Sequence, residues 1–166
     1  MAVFGEFFEA NESYAQRFES GDLPSPPSRR VAVLTCMDAR LDPQAFLELG
    51  LGEAHVIRNA GGRVSEDALR SLVISQRLLG TSKVLVIHHT DCGMMSFENE
   101  DLRQKIEADL GADASGWDFL TFSDLEESVR EDVGILRRSE LIPDDTSVCG
   151  AVYEVETGRL REVARG

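Results

Sequence analysis

The chain has 166 residues, of which 42% are hydrophobic and 28% charged, and a formal net charge of −13 at pH 7. That balance suits a soluble domain large enough to bury about 70% of its unfolded surface, and no apolar run approaches the ~18 residues of a membrane span. So acidic a surface repels phosphate backbones and anionic membranes, which excludes nucleic acid and membrane as expected partners.

Phe4, Phe7, Phe8, Ala15 and Phe18 recur at helical spacing and predict an amphipathic helix over residues 3–19, stopped by Gly21. The stretch Asp22-Leu23-Pro24-Ser25-Pro26-Pro27-Ser28 suits neither helix nor central strand and reads as an extended linker. Residues 1–28 are thus a helical arm with its linker, expected to pack on its own domain or on a second subunit. Residues 29–166 form the core of what reads as one domain. The first ten residues are acidic and aromatic, without the basic start and small-residue cleavage site of a secretory leader, so the expected location is the cytoplasm.

From Val31 the pattern alternates. Val31 to Cys36 is a short, β-branched apolar run and predicts a buried strand. Asp42 suits an N-cap with Pro43 at the first helical position, opening a short helix to Leu49. Ala54 to Arg58 is a second strand, followed by the tight loop Asn59-Ala60-Gly61-Gly62. Ser65 opens a helix with Glu66 and Asp67 in its first turn, where acidic groups favour the dipole. Ala68, Leu69, Leu72, Val73, Gln76 and Leu79 mark its inward face, and Gly80 ends it.

Val84 to His88 is a third strand, apolar on both faces as in covered parallel sheets. Residues 97–111 predict an exposed acidic helix. Ser123-Asp124-Leu125-Glu126 reads as a capping box, and Leu125, Val129, Val133 and Leu136 carry the helix after it. Ser147 to Tyr153 is a fourth strand, and Glu156-Thr157-Gly158 turns the chain into a last one, Leu160 to Val163. The expected fold is α/β. Its central sheet is mostly parallel, with about four parallel strands and a C-terminal edge strand, flanked by helices.

Three cysteines stand at 36, 92 and 149. An odd number at wide spacing argues against a disulfide framework and for metal binding or catalysis in a reducing compartment. Cys36 ends the first predicted strand in Cys36-Met37-Asp38-Ala39-Arg40. His89 and Cys92 follow the third in His89-Thr90-Asp91-Cys92-Gly93. Two thiolates and an imidazole are a zinc-ligand set, and three protein ligands leave a coordination position open, as catalytic zinc does. Sites in open α/β sheets form at the carboxyl ends of strands near a switch in strand order, so adjacency of the first and third strands would bring the two motifs together.

The alternatives are weaker. A redox pair needs Cys-x-x-Cys, which is absent, and a cysteine phosphatase needs an arginine where Asp42 stands. Gly61-Gly62 fits neither the dinucleotide fingerprint nor the P-loop. Taken alone, a Cys and a His-x-x-Cys could still be core residues; Asp38 and Arg40 beside them argue otherwise.

The pair of motifs resembles the β-class carbonic anhydrases, in the short form found in bacteria and archaea. Arg58-Asn59-Ala60-Gly61-Gly62 and Arg70-Ser71-Leu72 extend the likeness to about residues 29–163. Residues 24–30 offer no counterpart to the pocket glutamine of the longer, plant-like branch. The resemblance implies one zinc ion per subunit on Cys36, His89 and Cys92, and reversible hydration of carbon dioxide to bicarbonate and a proton. It implies that Asp38 and Arg40 form a catalytic dyad in which Asp38 orients the attacking water. Released by Arg40, Asp38 would become a conditional fourth ligand. Gly93, through its N–H, and Val64 would contact substrate. Carbonyl sulfide and carbon disulfide hydrolases share this ligand set, and a zinc protein without catalysis is a further alternative. The family's dimers and higher assemblies imply a homodimer or higher homo-oligomer.

Among other residues, His88 is expected to point away from His89 and be buried. Cys149 is expected in the core, His55 at the surface ahead of its strand, and Trp117 in packing. Asp67 and Arg70 should pair locally or fix the glycine loop, and Asp91 should orient the ligand loop.

Overall fold

The computed structural model describes residues 3–166. Five strands form one sheet: β1 (Val31–Cys36), β2 (Ala54–Asn59), β3 (Lys83–His89), β4 (Ser147–Glu154) and β5 (Arg159–Arg165). Their order is β2-β1-β3-β4-β5, with the first four parallel and β5 antiparallel at the edge. The chain leaves β1 for β2 on one side and then returns past it to β3. The strand order therefore switches between β1 and β3, where a ligand site is expected in such sheets.

The helices are α1 (Gly5–Ala15), α2 (Pro43–Phe46), α3 (Glu66–Arg77), α4 (Asn99–Leu110) and α5 (Leu125–Arg138). Ala68 and Leu72 of α3 and Val133 and Leu136 of α5 pack against Ala32, Leu34, Val84, Val86 and Val148 of the strands, forming the main core. Asp42 caps α2 by accepting from Ala45 N, and Ser65 caps α3 by accepting from Ala68 N, as their positions before Pro43 and Glu66 require. α4 ends at Gly111 in the left-handed conformation, a glycine-favoured stop.

Several expectations shift. α2 is one turn long and ends at Phe46 rather than Leu49. The N-cap of α5 is Asp124, accepting from Glu127 N at 2.9 Å, so the expected box at Ser123 sits one residue early. Trp117 is exposed. Cys149 is half-buried, on the pleat opposite Val148. His55 lies inside β2, half-buried, with Nδ1 2.7 Å from Ser75 Oγ. Residues 1 and 2 of the expected arm lie outside the described residues. Helix α1 is shorter than expected and has no buried residue; Phe4, Phe7, Phe8, Tyr14 and Phe18 are all exposed. The linker after it is tied to the body, with Ser28 N donating to Gly52 O and Arg29 N to Glu53 O, each at 3.0 Å.

The loop after β2 makes a short 3-10 turn, Ala60–Gly62, across the carboxyl ends of β1 and β3. Gly62 has φ +69°, and a Cβ there would lie 2.9 Å from Cys36 N, Ile87 O and the Thr35 carbonyl carbon. Only glycine lets this loop seat so closely against the strand ends.

Candidate metal centre

Parallel pairing of β1 with β3 places the two motifs side by side. The ligand atoms of Cys36, His89 and Cys92 all lie within 4.8 Å of one another, and all three residues are buried. Each is held by local chemistry. Cys36 ends β1, and its carbonyl accepts from Arg58 Nε at 3.0 Å; Arg58 Nη2 donates to the Asp38 carbonyl at 2.7 Å. One guanidinium therefore fixes the backbone on both sides of Met37. Met37 N donates to Asn59 O at 2.8 Å, carrying the β1–β2 pairing one step past Cys36.

His89 is the last residue of β3. Its Nδ1 lies 2.9 Å from the Thr90 carbonyl, which can only accept, so Nδ1 carries the proton. Nε2 then presents a bare lone pair. It is buried and has no hydrogen-bond partner, one of four such side-chain atoms among the described residues. A buried, unpaired nitrogen is costly unless something occupies it. Two thiols and a cation-seeking nitrogen converging on one point fit a divalent metal of zinc's softness. The loop beyond is pinned to β4: Thr90 N donates to Tyr153 O at 3.0 Å, and Val155 N donates to Thr90 Oγ1 at 3.0 Å.

The neighbouring Cys92 thiol, more than burial opposes it, holds the Cys36 thiol down to about 4; the Cys92 thiol is pushed well up by the same contact. The two opposite shifts belong to one coupled pair, in which each thiol's proton is felt by the other.

Asp38 and Arg40 meet fork to fork, with Nε to Oδ1 at 3.0 Å and Nη2 to Oδ2 at 2.7 Å. The Arg40 side-chain and backbone hydrogen bonds hold the Asp38 carboxyl far below the usual carboxylate range, and Asp38 in turn raises Arg40. Asp38 Oδ2 is 3.8 Å from His89 Nε2, so the carboxylate stands at the edge of the ligand set. Leu41, Phe46, Met94, Phe122, Tyr153 and Val155 pack around Cys36 and Cys92 and give the centre apolar walls.

Gly93 follows Cys92 at the start of a short 3-10 turn, Gly93–Met95, and a Cβ there would meet nothing within 4 Å. Val64, two residues beyond the glycine that seats against Cys36 N, is buried and packs with Leu34, Ala68 and Leu72. Asp67 and Arg70 pair at 2.9 Å, as their spacing implies. A cavity of about 650 Å³ beside Arg40 is lined by Thr90, Asp91, Glu154, Val155, Glu156 and Thr157. A larger, mainly apolar one of about 820 Å³ lies between α3, Trp117 and Leu141, away from the thiols.

His88 points the other way from His89, as strand alternation requires, and is fully buried against α5. Nδ1 lies 2.7 Å from Ser128 Oγ and Nε2 lies 3.0 Å from Asp132 Oδ2. Asp132 Oδ2 also accepts from Arg63 Nε at 2.9 Å. The roles of Arg58, Asp132 and Ser128 are not apparent in sequence. Ser128 and Asp132 stand four apart on the apolar face of α5, a spacing that puts both on one side, and that was the available signal.

The chain matches the carbonic anhydrase family model over residues 31–160. It is 43% identical over 163 residues to β-carbonic anhydrase 1 of Mycobacterium tuberculosis, covering 98% of this chain and 99% of the relative. It is 37% identical to a carbon disulfide hydrolase of an Acidianus species, covering 91% of this chain and 84% of that protein. The solved carbonic anhydrase of Streptococcus mutans superposes with a TM-score of 0.94 at 51% identity, covering 99% of both chains.

Proposed function

The chain belongs to the β-carbonic anhydrase family, and from that premise we propose that it catalyses the reversible hydration of carbon dioxide to bicarbonate and a proton. The observation that carries this reading is the unpaired, buried His89 Nε2 facing two thiols, with the Asp38 carboxylate alongside. Cys36, His89 and Cys92 would hold zinc, which when bound supplies Lewis acidity that makes a water nucleophilic near neutral pH.

The chain's own residues do the rest. The two thiolates balance the cation's formal charge inside an apolar pocket. Asp38, kept ionised by Arg40, accepts a hydrogen bond from the attacking water and so fixes the direction of its lone pair. Arg40 keeps Asp38 off the metal ligands. The N–H of Gly93, next to Cys92 in sequence, would donate to a substrate oxygen, a role supported by the open space around Gly93. The apolar packing of Leu41, Phe46, Met94 and Phe122 around the thiols favours an uncharged substrate over an ion. Stopped-flow hydration assays on the zinc-loaded protein test the reading. Turnover that is lost in Asp38→Ala supports it, and absence of turnover in the intact protein overturns it.

A second reading keeps the site and changes the substrate to carbonyl sulfide or carbon disulfide. It is favoured by the similarity to a carbon disulfide hydrolase. Hydrogen sulfide release from either substrate, faster than carbon dioxide hydration, would establish it.

The exposed aromatic face of α1 supports a homodimer or higher homo-oligomer, because an 11-residue helix with no buried side chain gains little from its own body. Light scattering after size exclusion should give at least twice the chain mass, and a clean monomer overturns this. No helix of the described residues is long and apolar enough to cross a membrane. The free thiols at Cys36 and Cys92 suit a reducing cytoplasm.

A further inference from the structure

Arg40 is gripped on two edges. Its inner edge holds Asp38 through Nε and Nη2, at 3.0 and 2.7 Å. Its outer edge donates from Nη1 to Asp91 Oδ2 at 2.7 Å and from Nη2 to the Asp91 carbonyl at 2.9 Å. Asp91 lies between the ligands His89 and Cys92 and has φ +54°. Asp and Asn tolerate that left-handed backbone better than other side-chain-bearing residues. In this conformation its carbonyl and its carboxylate reach the same guanidinium, 51 positions away in sequence.

We propose that Asp91 is a positioning residue of the Asp38–Arg40 dyad: it pre-sets the Arg40 fork so that Asp38 stays turned away from the metal ligands. The inference rests on the functional reading above. A long arginine side chain loses rotamer freedom when it pairs, and an anchor on its far edge removes much of that cost beforehand. The second carboxylate does not compete for the same donors, since Nη1 faces Asp91 and Nε faces Asp38. Asp38 Oδ2 already stands 3.8 Å from His89 Nε2, so a small rotation separates its two positions. Without Asp91 the fork loosens, and the balance moves toward Asp38 facing the thiolates. Asp91 and Arg40 are 78% and 48% exposed in their side chains, and ion pairs between exposed groups are weak, so the expected change is about three- to tenfold.

The test uses Asp91→Gly, which removes the carboxylate without straining a left-handed backbone, and Asp91→Asn, which keeps an acceptor without the charge. Each full-length variant is loaded with cobalt(II), its metal content is measured, and its visible spectrum is compared with wild type. Crystal structures of the same samples report the orientation of Asp38. At unchanged metal content, Asp91→Gly should alter the spectrum, turn Asp38 off Arg40 and lower kcat about three- to tenfold with little change in KM. Asp91→Asn should fall between it and wild type. If Asp91→Gly fails to hold metal, Asp91→Asn alone decides, by the same partial shift. Wild-type spectra and a wild-type Asp38–Arg40 pair in the metal-holding variants overturn the proposal. Because Asp38 orientation is read without turnover, an inactive wild type would sink the functional reading while leaving this comparison intact.

Discussion

Asp38 Oδ2 stands 3.8 Å from His89 Nε2 while Arg40 Nη2 holds the same oxygen at 2.7 Å. The carboxylate is therefore held by the Arg40 cation within reach of the Cys36, His89 and Cys92 side chains. Which way it turns depends on Arg40.

Arg40→Ala should release Asp38 toward the ligands and cut hydration turnover by about 10- to 100-fold, the range typical for removing a partner behind a metal centre. The crystal structure of the variant gives the direct check. An unmoved Asp38 with normal turnover would remove the gate from the mechanism.

Hydration activity should rise from neutral to alkaline pH. Arg40 holds the Asp38 carboxyl far below the usual carboxylate range, so Asp38 is ionised throughout that interval and cannot cause the rise. The sign for stability follows. A depressed carboxylate contributes stability that is present above its unfolded value of about 3.9 and is lost only as pH falls through the lower folded value. The pH–rate profile of the zinc-loaded protein should thus track ionisation of the attacking water. A flat profile would count against that control.

Dialysis against a strong chelator should abolish activity and leave the far-ultraviolet circular dichroism nearly unchanged, since none of the three ligands belongs to the main core. Added zinc should restore turnover. Cys36→Ser and His89→Ala should each lower bound zinc well below one per chain, measured by elemental analysis.

Gly62→Ala should destabilise the fold by about 2–4 kcal/mol, combining overpacking against three backbone atoms with a left-handed residue that now carries a Cβ. Gly93→Ala has open space around it and should leave unfolding midpoints within about 1 kcal/mol of wild type. Urea unfolding of the pair separates the two glycines. Equal stability of both variants would contradict the close approach at Gly62.

Asp132→Ala should cost about 1–3 kcal/mol, because it takes a buried acceptor from both Arg63 and His88 Nε2, leaving Arg63 with Glu131 and the Leu120 carbonyl. Asp132→Asn keeps an acceptor and should cost less. Thermal unfolding of both variants checks the order.

Much of this was legible in the sequence because its signals are local. The apolar, β-branched run placed β1 at Val31–Cys36, the bounds that the structure has. Ser65 and Asp42 announced their helices through capping chemistry. The two motifs carried enough chemistry to define a ligand set, and strand–helix alternation made adjacency of β1 and β3 the natural reading. What escaped depends on partners far along the chain. Arg40's second carboxylate and His88's serine and aspartate are brought in by tertiary packing alone. The start of α5 was misread because Ser123-x-x-Glu126 and Asp124-x-x-Glu127 are overlapping boxes one residue apart. Packing of Val129, Val133 and Leu136 against the sheet selects the second. Trp117 belongs to a stretch without periodicity, so sequence could not say which way it faces.

β3 carries two imidazoles in succession, and a slip of one residue in its pairing would bring the wrong one to the thiols. His88 would then arrive at the thiols and Ile87 at α5. The ring itself cannot reject this misalignment, since either histidine could bind a metal. The surroundings do: a slipped strand would take the imidazole nitrogens away from Ser128 and Asp132, leaving an aspartate and an arginine buried with an incomplete set of partners. The polar cluster behind the sheet thus acts as a proofreader for strand alignment, and the correct histidine is selected from the side of the sheet that never meets the metal.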